Sequence, residues 1–188
     1  MKSGVLRCDI EDLAEWHPYL YVEPYVVAFV AVTGQYSVSP ARFLLEREDV
    51  KSRRLRKGNE AWLEIAWSEE TVDKAERLRS TMPSRSLVEM AAVAVALIVA
   101  HRVVVLGTLN VMEYGGRADY RSTRVRRVLE VSGTEDAGEL RRRQREKVAQ
   151  ALANPYRWDA YVVICAFGSE CRVLISGHSW QEATNAEA

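Results

Sequence analysis

Hydrophobic and polar positions give the second half of the chain a regular texture. Ser84 to His101 is apolar nearly all round, the pattern of a helix packed at the centre of a core. Val103 to Leu106 opens a β-branched run that continues through Val111 to Tyr114; Gly115-Gly116 turns the chain, and Arg117 to Arg121 starts back as a second strand. Arg127 to Ser132 gives a third strand, with Val128, Leu129 and Val131 apolar around Glu130. Asp136, followed three residues later by Glu139, reads as a capping-box start. The helix it opens keeps Leu140, Val148 and Leu152 on one face, and Asn154-Pro155 ends it. Ala160 to Phe167 is apolar enough for a strand buried on both faces, Gly168-Ser169 turns the chain, and Cys171 to Ser176 pairs back. From Ser179 the pattern is that of a frayed tail.

The first half, to about Pro83, is made of shorter pieces. Asp9 to Tyr19 predicts a short helix with Leu13, Trp16 and Leu20 on one side. Tyr25 to Val32 is apolar and β-branched before Thr33-Gly34, which predicts a strand ending in a turn. Leu63, Ile65 and Trp67 alternate with Trp62, Glu64 and Ala66, the period of a strand. Ser68 to Thr71 supplies an N-cap and first-turn acids for a helix through about Ser80, with Val72, Ala75 and Leu78 at helical spacing, and Pro83 separates it from the next helix. The basic cluster Lys51, Arg53, Arg54, Arg56 and Lys57 precedes Gly58-Asn59 and reads as a solvated loop or strand end, with phosphate contact as the alternative.

From residue 84 the order is helix, strand, strand, strand, helix, strand, strand. The fold class is therefore α/β or α+β, a mixed sheet covered by helices. Residues 1–83 are expected to form an N-terminal α+β extension packed on a core of residues 84–178, with a flexible tail over 179–188.

Composition narrows the function classes. The 188 residues carry 26 Lys and Arg against 26 Asp and Glu, so the net charge is zero and a uniformly basic nucleic-acid binder is excluded. Hydrophobic residues at 48% and charged residues at 28% support a packed core and exclude a disordered chain. Cys8, Cys165 and Cys171 form no CxxC or Cys/His cluster, and their odd count points to a reduced, cytoplasmic setting. Met1 to Asp12 lacks a secretory signal pattern. The longest apolar run, Met90 to Ala100, is about half of the roughly 20 residues that cross a bilayer, so it reads as a buried helix with no membrane partner.

Candidate chemistry centres on acids. Asp119 and Glu130 lie on adjacent predicted strands, where side chains of an antiparallel pair stand about 5 Å apart on one face. Two carboxylates that close repel unless they share a cation, which suits Mg²⁺ or Mn²⁺. Glu89, the only charged residue between Arg85 and His101, extends the set, since a buried carboxylate needs a partner or a metal. The plainer alternatives are salt bridges from Asp119 and Glu130 to Arg117, Arg121, Arg124, Arg126 and Arg127, and a first-turn dipole role for Glu89.

The run Gly116-Arg117-Ala118-Asp119-Tyr120-Arg121, followed by Val128-Leu129-Glu130-Val131-Ser132-Gly133-Thr134, resembles the core of the PD-(D/E)XK nuclease-like superfamily. The resemblance covers residues 84 to 167 and includes the αβββαβ order with an acid on the first helix. It implies a restriction-endonuclease-like fold and phosphodiester hydrolysis with Mg²⁺ or Mn²⁺, on DNA ahead of RNA. Asp119 and Glu130 would be the metal carboxylates, the Val131 carbonyl a further oxygen, and Glu89 an assisting acid. Ser132 falls where the family usually has Lys, and a hydroxyl has no charge to stabilise the phosphorane. The following helix offers Arg141, Arg145 and Lys147 as replacements, with Gln144 facing the same way as Leu140 and Val148. Without such rescue the resemblance implies a catalytically inactive module that binds nucleic acid or a protein partner, including a second copy of itself.

Arg117, Arg121, Arg141, Arg145 and Lys147 are the candidate nucleic-acid contacts, because phosphate contacts supply most non-specific affinity. A solvated face is the alternative for the dense series Arg141, Arg142, Arg143, Arg145 and Lys147. On this reading the zero net charge is segregation, with acids gathered in residues 9 to 23 and in the tail. His17, His101 and His178 have no ligand spacing, and no GxSxG, Walker or GxGxxG motif occurs. Cys165 reads as an inert core thiol, and Trp16, Trp62 and Trp67 as aromatic packing, with base stacking or partner anchoring as the alternative.

Overall fold

A computed structural model of the protein describes residues 4–49, 61–113 and 115–181. The basic cluster from Lys51 to Lys57, the Gly58-Asn59 turn, Tyr114 and residues 182–188 lie outside the described residues.

The elements in chain order are β1 (Val5–Asp9), α1 (Leu13–Trp16), α2 (Glu23–Thr33), β2 (Ala41–Asp49), β3 (Ala61–Ala66), α3 (Glu69–Thr81), α4 (Ser84–Arg102), β4 (Asn110–Val111), β5 (Tyr120–Ser122), β6 (Arg127–Thr134), α5 (Leu140–Leu152), β7 (Asp159–Ala166) and β8 (Arg172–His178). The strands form one mixed eight-stranded sheet in the order β1-β3-β2-β8-β7-β6-β5-β4. Strands from the first 83 residues join the rest through the parallel β2–β8 ladder. β6 and β7 run parallel with α5 as their crossover, whereas β5–β6 and β7–β8 are antiparallel.

Alternate residues of each central strand enter different layers. Leu129, Val131, Val163, Cys165, Val173 and Ile175 face the large core beneath α2 and α4, while Val128, Val162, Ile164 and Leu174 face a smaller cluster beneath α5. α4 is long and apolar enough to cross a membrane by length and composition. It packs instead against α2 and β6 with eleven residues buried, as a core helix does.

Tyr25 to Val32, expected as a strand, is the body of α2. Pro24 sits in its first turn, where proline suits a helix start, and every residue from Val26 to Thr33 is buried. Burial all round against α4 overrides the β preference of its valines. Asp9, expected in the first helix, ends β1; its side chain accepts a hydrogen bond from Glu11 N at 3.2 Å, a 3₁₀ turn follows, and α1 is one short turn.

Val103 to Leu106 is also not a strand. Val104 N donates to Val99 O at 3.1 Å and Leu106 N to Ala100 O at 2.9 Å, so these amides close the C-terminus of α4, and Val105 takes a left-handed φ of 54°. Only Asn110 and Val111 join the ladder. The second strand is shorter than expected too: Arg117, with φ of 62°, turns the chain, and pairing to β6 spans Tyr120 to Ser122. The strand over Ala61–Ala66, the helices α3, α4 and α5, and the β7–β8 hairpin fall where the pattern predicts them. β2 carries its own period-two signal, with Ala41, Phe43 and Leu45 buried between Arg42, Leu44 and Glu46.

Candidate functional site: carboxylates between α4, β6 and α5

β6 extends beyond its partner β5. Tyr120 pairs with Leu129, and past that point the β6 backbone faces side chains instead of a strand. Val131 N donates to Asp119 Oδ2 at 2.8 Å and Gly133 N to Glu89 Oε2 at 2.9 Å, so two carboxylates stand in for the missing strand. The Val131 carbonyl leaves the strand on the same side as its N–H. Gly133 is required here, since a Cβ would lie 2.4 Å from Val88 O. Its absence lets α4 approach β6 closely enough for Glu89, the next residue, to reach the strand.

Glu130 and Ser132 alternate with these residues and face α5. Glu130 is 0% exposed. Its Oε1 accepts from Lys147 Nζ at 2.5 Å, and its Oε2 is buried without a hydrogen-bond partner. Burial, and then the charge of Asp119, push the Glu130 carboxyl up to about 7 against the pull of Lys147. Asp119 is raised as well, first by burial, with the Val131 N–H and Lys147 opposing and Glu89 adding to the rise. Asp119 precedes Tyr120, whose side chain enters the α4 core beside Leu129, so Asp119 and Glu130 share the other face.

Arg143 lies one turn before Lys147 on α5. Its Nη1 donates to Ser132 Oγ at 3.0 Å and reaches Glu89 Oε1 at 3.4 Å, and Ser132 Oγ is also 3.4 Å from Glu89 Oε1. Glu89, Asp119, Glu130, Ser132, Arg143 and Lys147 therefore form one polar cluster contributed by α4, the segment before β5, β6 and α5.

No protein-family model, curated protein or solved structure matches this chain.

Asp119 and Glu130 pair with none of Arg117, Arg121, Arg124, Arg126 or Arg127 among the described residues; Glu130 forms its ion pair with Lys147 instead, and Asp119 accepts from the Val131 amide. Of the expected nucleic-acid contacts, Arg141 is paired with Glu46 and Glu48, Arg121 with Glu113 at 3.0 Å, and Lys147 with Glu130. Arg142, on the same helix, is held by Glu139 and Glu146. Arg117 and Arg145 are exposed and carry no ion pair among the described residues. Gln144 is buried, as its spacing predicts, and donates to Glu48 Oε2 at 2.8 Å. Arg143 was not singled out by sequence, although its four-residue spacing from Lys147 is the signal of a shared helix face.

Among the described residues, no three His, Cys, Asp or Glu side chains gather as a metal-ligand group. A hard divalent cation would need one or two carboxylates and several waters; within the cluster, Glu130 Oε2 is the buried carboxylate oxygen without a hydrogen-bond partner, and Asp119 lies beside it. The histidines are structural: His17 Nε2 lies 3.1 Å from Leu97 O, His101 stacks on Trp16, and His178 meets Ser176. All three cysteines are free.

Proposed function

We propose that the chain is a divalent-metal-dependent, nuclease-like protein that hydrolyses phosphodiester bonds in nucleic acid, DNA ahead of RNA, on a restriction-endonuclease-like core running from α4 to β7. The observation that carries this reading is Lys147 Nζ at 2.5 Å from buried Glu130. It supports a cation moved from the strand position of Ser132 to the following helix, where an ammonium can face developing phosphorane charge. The element order α4, β4, β5, β6, α5, β7 supports it further.

In this reading Asp119 and Glu130 hold Mg²⁺ or Mn²⁺, with the Val131 carbonyl as a further oxygen. When bound, the ion would supply phosphate charge neutralisation and a more acidic bound water. Glu89 keeps the end of β6 in place through Gly133, and Arg143 orients Ser132 and Glu89. A reduced, cytoplasmic setting belongs to the same reading and agrees with three free thiols.

The test is nicking of supercoiled plasmid by purified protein with Mg²⁺ or Mn²⁺. Chelator, Asp119→Ala and Lys147→Met should each abolish it; undiminished cleavage in Asp119→Ala or in chelator sinks the proposal. A second reading, an inactive module that binds nucleic acid or a protein partner, is favoured by one observation. Arg143 and Lys147 already neutralise Glu89 and Glu130, and no third acid completes a ligand set among the described residues. If the native protein does not cleave and Ser132→Lys does, the second reading holds.

A further inference from the structure

We propose that the end of the sheet formed by the β5–β6 turn and the entry to β7 binds single-stranded nucleic acid, with phosphates on Arg124, Arg126 and Arg157 and bases on the planar groups beside them. Positive charge on α5 is largely committed to carboxylates. Arg124, Arg126 and Arg157 are exposed and carry no ion pair among the described residues. They come together because β6 and β7 run parallel with Arg127 opposite Asp159, so the turn before β6 and the turn before β7 share one end of the sheet. Arg126 and Arg157 hold left-handed backbone, with φ of 50° and 57°. Residues with a Cβ adopt that conformation at a cost, and here it is spent on two like-charged side chains that carry no ion pair among the described residues.

The same end carries guanidinium–ring pairs. Tyr156 and Trp158 stack with centroids 4.9 Å apart, and Arg121 lies 5.4 Å from the Tyr156 centroid while donating to its hydroxyl at 2.5 Å. Arg157 sits 5.4 Å over Trp180; Arg127 sits 5.1 Å over Tyr161, which is itself buried, so at that pair the guanidinium is the group near the surface and the ring is not. A guanidinium held against a ring has little rotamer freedom left to lose on binding. Rings and guanidinium planes are the groups on which unpaired bases stack. A duplex keeps its bases stacked internally and offers nothing to these rings, so the surface selects a single strand.

This inference rests on the proposed function for what the strand is delivered to. Arg121 is two residues from Asp119 and Arg127 three from Glu130, about 10 Å along β6. Binding itself needs no cleavage. The test is fluorescence anisotropy of the full chain with fluorescein-labelled oligothymidine, in chelator, against a duplex of equal length.

The single strand should bind more tightly than the duplex and quench tryptophan fluorescence. Arg126→Ala with Arg157→Ala should weaken binding roughly tenfold and reduce the salt slope by about 0.7 for each arginine. Arg142→Ala, on the paired helix, should change neither. The surface is overturned if the turn variants bind like the native protein, if duplex binds as tightly, or if Arg142→Ala costs as much. Metal-dependent cleavage without single-strand binding overturns this surface and spares the nuclease reading; binding without cleavage does the reverse.

Discussion

On one face of the sheet, α2 and α4 lay two apolar helices over the strands, and α4 alone buries eleven side chains. On the other face, α5 buries Leu140, Gln144 and Ala151 and presents arginines and a lysine along the rest of its length. The difference decides where chemistry can sit. A helix with few apolar side chains cannot seal the strands beneath it, so Glu130, Ser132 and Ser176 remain buried polar groups on the α5 face and find partners there or none. On the α2 and α4 side the buried polar side chains include His17, held by a backbone carbonyl, and the hydroxyl of Thr33. One layer supplies stability, and the other holds charge against a rigid strand.

The largest effect should come from cutting into the α4 face. Phe43 is fully buried between Phe29 and Phe167, and Phe43→Ala should cost about 3–5 kcal/mol. Half-buried Val148 on α5 should cost far less when cut to Ala. Equal shifts of the two urea midpoints would erase the distinction between the faces.

Next in size is Lys147→Met, which leaves Glu130 without its cation. Lys147 is 27% exposed, so the expected loss is about 2 kcal/mol near pH 8, below the roughly 3–5 of a fully buried pair. The loss should shrink in acid as Glu130 takes a proton. The sign follows from the raised carboxyl: its folded value near 7 lies above the ordinary 4.5, so its contribution is complete below pH 4.5 and is lost as pH rises through about 7. Denaturation curves of Glu130→Gln from pH 4 to pH 8 should lack that slope.

Asp119→Ala should cost about 1 kcal/mol through the lost acceptor for Val131 N. Cleavage should nevertheless vanish, and that split between stability and activity is the sharpest mark of a working site. A protein that unfolds in step with its loss of activity would place Asp119 among the structural residues.

The smallest expected effect is a pH slope of opposite sign from the α4 face. Burial, foremost, lowers the His17 pKa below 6.5, so its contribution is intact above that value and is lost as pH falls through the depressed folded value. His17→Gln should flatten the acid limb and leave the neutral limb untouched, as read from thermal midpoints across pH 4 to 8.

Local pattern carried a large part of the architecture. The alternation at Ala61–Ala66, the apolar length of α4, the runs of β6 and β7 and the stop at Asn154-Pro155 each follow from period and punctuation within a few residues. Tyr25 to Val32 misled because a short apolar run has the same composition in a buried helix and a buried strand, and only the presence of α4 beside it settles which. Val103 to Leu106 misled because its amides are taken by the end of α4, a competition that composition does not register. Within the site, Glu89, Asp119 and Glu130 were legible as acids on adjoining elements, and Lys147 as one of several cations on the next helix.

The sequence by itself determined the mixed α/β class, the acids placed one to an element, and a zero net charge with no uniformly basic character. Tertiary structure decided which charges meet. Every arginine on α5 has the same local chemistry, yet Arg141 and Arg142 end on surface glutamates, Arg143 and Lys147 reach the carboxylates of α4 and β6, and Arg145 meets no carboxylate among the described residues. The physical reason is distance. Charge pairing depends on a few ångströms set by the packing of α5 over a parallel β6–β7 crossover and by Gly133 admitting α4, contacts between residues dozens of positions apart that no local pattern encodes.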